Sequence, residues 1–266
     1  MNETPRPFTF SELDGLAFAA ERGILNAQSG SFAAVDIGPV FELGLLAKSK
    51  LLLWPGNSGW LNLNGTGPLI TALARRKHLW VCPNTRSVGL YRAYATMRHD
   101  ETSWVEFGVA AQYCASQAGF SRDMGAQLVG AIGEMQSNIY EHSKASATGI
   151  VAFRGAPGAF EFVVADRGVG VLQSLKGCSD YAELTSHGQA LQLALSEGIS
   201  RYGPQRGRGL GFRPLFSGLS NLNGSLRFRS GDYALTIEGR NPGIIPAKLW
   251  QKPVLQGFFA SVICRC

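Results

Sequence analysis

The chain has no long apolar run: its longest hydrophobic stretches are interrupted by Lys48, Lys50 or glycines well short of a bilayer span. It also lacks an early cationic stretch followed by an apolar segment, so neither a membrane span nor a signal peptide is expected. The expected location is the cytoplasm. Cysteine is scarce and odd in number: Cys82, Cys114, Cys178, Cys264 and Cys266 do not make a disulfide framework. Cys264-x-Cys266 has no second cysteine pair or nearby histidine to complete a zinc set, and reads as a strand end with a terminal thiol. His78, His99 and His187 stand in no ligand or phosphoacceptor context.

What is present is glycine and apolar residues. The 266 residues include 33 glycines and are 45% hydrophobic, which suits a globular α/β protein with many tight turns. A net charge of +6 permits contact with anions, with basic residues gathered at Arg201–Arg208 and at Arg227-Phe-Arg229. The first cluster overlaps a glycine motif, so a triphosphate accounts for it without a polynucleotide, and nucleic acid is not the expected partner.

The first hundred residues read as a smaller α/β unit. Leu13, Leu16, Ala17, Ala20 and Ile24 predict an amphipathic helix over 10–25. A strand is expected at 32–37, a helix from about Thr66 to Arg76, a buried strand at 78–82 and a short helix over 85–97. Residues 51–60 fit neither element and read as a loop or bulged hairpin. Polarity rises around Arg98–Ser103, which places the expected domain boundary between 1–102 and 103–266.

Beyond it, Ser121 is an expected N-cap, and Met124, Leu128, Ala131, Ile132, Met135 and Ile139 predict the buried stripe of a long helix. Glu134 and Asn138 lie one turn apart at the edge of that stripe. Strands are expected at 148–153 and 160–165 around a Gly-Ala-Pro-Gly turn, and helices at 180–198 and 210–219. Three more strands are expected at 225–229, 233–237 and 258–264. Two glycine motifs follow the long helix: Asp166-Arg-Gly168-Val-Gly170 and Gly207-Arg-Gly209-Leu-Gly211. Alone, the first reads as a turn aspartate capping its own backbone. A dinucleotide-binding Rossmann reading fails, because Gly168-Val-Gly170 has no third glycine and the second motif has the wrong spacing.

Taken in order, these three motifs resemble the nucleotide-binding motifs of the GHKL superfamily, with Glu134, Asn138 and Glu141-His142 matching its N box. Asp166, Gly168 and Gly170 match its first glycine box, and Gly207, Gly209 and Gly211 its second. The resemblance covers Ser121 to the C-terminus and is nearest to the serine-kinase regulators of anti-sigma type. It implies a two-layer α/β sandwich of Bergerat type with a mixed, mostly antiparallel sheet, and ATP and Mg²⁺ as cofactors. Asp166 would accept from the adenine amino group, with Gly168 and Gly170 letting the backbone approach base and sugar. Asn138 would hold Mg²⁺ through its amide oxygen, and Glu134 would act as general base. Gly207, Gly209 and Gly211 would open a helix toward the phosphates, Arg206 and Arg208 would reach them, and residues 198–207 would form a short lid. His142, one turn after Asn138, reads as a hydrogen-bonded bystander rather than as a site residue.

The implied activity is slow ATP hydrolysis, or phosphotransfer to a serine or threonine of a regulatory protein partner. The alternative is a catalytically weak, nucleotide-gated interaction module. No paired-helix segment with a phosphoacceptor histidine precedes the N box, so histidine autokinase activity is not expected. A homodimer is compatible with either. The N-terminal unit resembles STAS-type domains in its strand–helix order, without a match to the phosphorylatable serine that such domains can carry.

Overall fold

A computed structural model describes residues 5–24, 31–54, 59–63, 65–94, 101–195, 223–240 and 247–266. The chain opens with strand β1 (Arg6–Pro7), helix α1 (Phe10–Glu21), strand β2 (Phe32–Ala33), helix α2 (Ile37–Lys48), strand β3 (Leu61–Asn62) and helix α3 (Gly67–Ala74). Strands β4 (Leu79–Val81) and β5 (Val88–Arg92) follow, then helices α4 (Glu101–Gln117) and α5 (Arg122–His142). Next come β6 (Ile150–Ala156), β7 (Ala159–Asp166), α6 (Gly170–Leu175), α7 (His187–Leu195), β8 (Asn223–Arg240) and β9 (Lys248–Arg265).

Six strands form one antiparallel sheet in the order β4-β5-β6-β7-β9-β8. The fold is mixed α/β, and the sheet with α4 and α5 on one face forms the expected two-layer sandwich. Period-two alternation assigns the side chains. Phe160, Phe162 and Val164 of β7 and Ala260, Val262 and Cys264 of β9 join the core that holds Phe107, Ala111, Leu128, Ile132 and Ile139. The intervening Val163, Ala165 and Phe259 face the opposite way, into a second core with Leu13, Ile37, Val40, Leu43 and Leu69. With both faces covered, Phe160–Asp166 and Phe259–Cys264 are buried at every position. The N-terminal helices are thus a third layer on the same sheet.

That layer corrects the expected boundary at 102. Strands β4 and β5 come from before it, yet β5 pairs with β6 from Val88↔Arg154 to Arg92↔Ile150. The polarity rise at 98–103 marks a surface connection rather than a division of the sheet. Residues 88–92, expected in a helix, form β5, because Val88, Leu90 and Tyr91 bury against both neighbouring layers. The strand at 79–81 is half-buried rather than buried, since it forms the sheet's edge. The strand expected at 32–37 shortens to two residues, because Ile37 already begins α2.

Helix ends follow local chemistry where the sequence supplies it. Ser121 accepts from the Met124 N–H at 3.2 Å and caps α5, and Asp123 sits in its first turn. α2 has no cap of its own: the Ile37 N–H donates to the Glu161 carboxylate on β7 at 2.9 Å. β8 and β9 pair over most of their length, with register shifts on either side of Gly231. Ser230 pairs with Phe258 but Gly231 with Leu255, so Gln256 and Gly257 bulge out of β9. The two strands expected at 225–229 and 233–237 are consequently one long strand. The helix expected at 180–198 starts only at His187, and 210–219 lies outside the described residues.

Candidate functional site

The candidate site lies where the end of β7 meets the end of α5. Asp166 is the last residue of β7 and only 4% exposed. Its Oδ1 accepts from the Gly168 N–H at 2.7 Å, which is the self-capping turn contact that an Asp-x-Gly makes locally. Burial pushes the carboxyl up to about 6, against the pull of backbone hydrogen bonds from Gly168 and Phe258. A carboxylate offers roughly four acceptor positions, so these contacts leave room for a further donor.

The bend after Asp166 is held on every side. The Arg167 N–H donates to Thr148 Oγ1 at 2.9 Å, and Gln256 Nε2 donates to the Arg167 carbonyl at 3.1 Å. The Val169 N–H donates at 2.9 Å to the carbonyl of Ser143, the residue that ends α5. The Val171 N–H donates at 2.9 Å to Ser230 Oγ, whose hydroxyl in turn donates to the Gly257 carbonyl at 2.9 Å.

The glycines answer to this packing. A Cβ on Gly168 would stand 1.9 Å from the Ser143 carbonyl oxygen. Gly170 has φ +74°, and a Cβ there would stand 2.7 Å from Ser230 Oγ. The close approaches at these glycines are to protein atoms. Gly257, in the bulge, sits 2.2 Å by the same measure from the Asp166 carbonyl, so the irregularity in β9 is shaped to the bend.

On α5, Glu134 is exposed and Asn138 half-buried. Both lie on the flank that does not pack on the sheet. His142, one turn after Asn138, has Nδ1 3.0 Å from Ser174 Oγ, which ties the end of α5 to α6. This matches the hydrogen-bonded reading of His142. His142 thus meets α6 at the end of α5, where the Asp166 bend packs on Ser143; Asn138 lies one helical turn before His142 and Glu134 two. Arg206, Gly207, Arg208, Gly209, Gly211 and the lid at 198–207 lie outside the described residues.

No group of three or more acidic, histidine or cysteine side chains able to hold a metal occurs among the described residues. A cation here would depend on Asn138 together with oxygens of its ligand. Cys82, Cys114, Cys178, Cys264 and Cys266 are all free thiols.

Arg227 and Arg229, the second basic cluster of the sequence, are 4% and 1% exposed. Alternation along β8 points both at the N-terminal layer. Arg227 Nε donates to Glu42 Oε2 at 2.8 Å and its Nη2 to Asp14 Oδ1 at 2.6 Å. Arg229 pairs with Glu42 and donates to the Pro253 carbonyl at 2.6 Å. Lys252 reaches Asp14 at 2.6 Å. Burial opposes charge on Glu42, but the two guanidiniums outweigh it and hold its carboxyl below the usual range. The two arginines are accounted for within the fold and are not offered to a polyanion. The residues that shape the bend but escaped the sequence reading are Ser143, Ser230, Gln256 and Gly257; none belongs to a local motif.

No protein-family model matches the sequence, and no curated protein matches it. Among solved structures, the chain is similar to the B-subunit of the DNA gyrase from Myxococcus xanthus, with a TM-score of 0.30 and 13% identity. The likeness covers 54% of this chain and 37% of that one, so this chain spans little more than a third of the subunit. A likeness that distant decides neither ligand nor activity. No helix among the described residues is long and apolar enough to cross a membrane.

Proposed function

We propose that the chain is an ATP- and Mg²⁺-binding regulatory protein. It either hydrolyses ATP slowly or passes the γ-phosphate to a serine or threonine of a protein partner. The observation that carries the reading is the junction itself: the Ser143 carbonyl at the end of the Glu134/Asn138 helix packs against Gly168 of the Asp166 bend. Two motifs separate in sequence therefore meet, with a buried carboxylate at their meeting point.

In this reading Asp166 accepts from the adenine amino group. Asn138 would hold Mg²⁺ beside the phosphate oxygens, and the ion would supply charge neutralisation there. Glu134, exposed to incoming water or a partner's hydroxyl, serves as general base. Arg206, Arg208 and the glycines Gly207, Gly209 and Gly211 take their phosphate-side roles from the sequence pattern alone. Calorimetry with ATP, GTP and Mg²⁺ tests it. ATP-selective binding that is lost in Asp166→Asn is the expected result; no binding to the wild-type chain would sink the reading.

A second reading, nucleotide gating without useful catalysis, is favoured by two adjacent residues of β8. Ser230 holds the first turn after the bend, while Arg229 holds Glu42 of α2 on the opposite face. A change at the bend has a short mechanical route to the N-terminal layer. Turnover in Glu134→Gln against wild type separates the readings: wild-type turnover that is largely lost in the variant supports catalysis, whereas a wild type that binds ATP without turnover, or a variant with unchanged turnover, supports gating.

A further inference from the structure

Helix α4 buries Phe107, Ala111, Cys114 and Ala115 against the sheet and α5. Its outward face carries Val105, Val109 and Tyr113, which are 62%, 62% and 45% exposed. Spacing of four residues puts them in one stripe about 12 Å long. Single exposed apolar side chains need no explanation, but a contiguous stripe on one helix does.

The charges around the stripe are ordered. Glu106 lies two turns before Tyr113, and seven residues bring a helix back to nearly the same edge. On that edge, Arg86 from the β4–β5 turn lies over the Tyr113 ring, 5.9 Å from its centre. The stripe is thus acidic beside Val105 and basic beside Tyr113.

This pattern is complementary to itself. A twofold axis through Val109, perpendicular to the helix, keeps each copy's charged edge on the same side and reverses its direction. Val109 then meets its own counterpart, Val105 meets Tyr113 of the partner subunit, and Glu106 comes beside Arg86 of the partner subunit. A parallel twofold would instead run along the helices and put the two charged edges on opposite sides of the contact, leaving Glu106 and Arg86 without each other. We propose that two copies of this chain associate through α4, antiparallel, with Val105, Val109 and Tyr113 at the contact and Glu106–Arg86 pairs closing it on one side. The proposal is independent of any ligand at the Asp166 bend.

Sedimentation velocity on the full chain from about 1 to 200 μM tests it, the short stripe implying micromolar association. The expected result is a monomer–dimer equilibrium in the wild type and a monomer in Val109→Glu with unchanged circular dichroism. Glu106→Arg and Arg86→Glu should each weaken association about tenfold, and combining them should restore it, since two symmetry-related pairs reverse together. A wild-type chain that stays monomeric, a Val109→Glu chain that still dimerises, or a charge swap no better than its single changes would overturn it.

Discussion

Asp166 combines two demands that conflict. Its bend needs a short acceptor for the Gly168 N–H, and its burial disfavours the charge that makes it the best acceptor. Because its pKa rises on folding to about 6, the folded state binds its proton more tightly than the unfolded one. Its contribution to stability is therefore present below the unfolded pKa and is lost as pH rises through 6. Urea unfolding should show stability falling between about pH 4 and 6.5 by on the order of 2 kcal/mol from this group, and Asp166→Asn should flatten that slope. If adenine binds Asp166, affinity should change the other way, weakening as pH drops below 6 and the acceptor is protonated. Gly168 is a simpler case. Alanine there drives a methyl into the Ser143 backbone, which cannot swing aside as a flexible side chain can, so Gly168→Ala should cost more than about 2 kcal/mol in chemical denaturation.

α5 was legible from its own residues: an N-cap at Ser121, an acidic first turn and an apolar stripe at helical spacing. α2 was not legible, because its first N–H is satisfied by Glu161, a strand residue 124 positions away. Nor was the burial of Arg227 and Arg229, since arginines two apart read equally well as an exposed strand face until the helix carrying Glu42 lies over them. Glu42→Leu should destabilise the protein by about 3–5 kcal/mol, read from thermal or urea unfolding, because it strands two guanidiniums in an interior that excludes water. A loss under 1 kcal/mol would mean that the arginines find other partners. Capping chemistry predicts a smaller effect at the opposite extreme, with Ser121→Ala costing about 1 kcal/mol.

At the scale of the molecule, one sheet serves two cores. The layer made by α1, α2 and α3 covers Val163, Ala165 and Phe259, side chains that a fragment beginning at 103 would leave in water along with the unpaired edge of β6. Such a fragment should therefore lack a cooperative unfolding transition, and a fragment with a sharp transition and native-like circular dichroism would restore the boundary at 102. The sequence by itself determined the features carried by short-range chemistry. These are the long capped helix, the strands around residues 150–165 and 258–264, and the glycine-bearing bend after Asp166. Tertiary structure decided the rest: which strands share the sheet, that the N-terminal helices form its third layer, and that Gly168, Gly170 and Gly257 make room for Ser143, Ser230 and Asp166 respectively. The physical reason is range. Capping and periodicity act within a few residues, whereas a buried ion pair or a missing Cβ has meaning only once a distant segment arrives beside it.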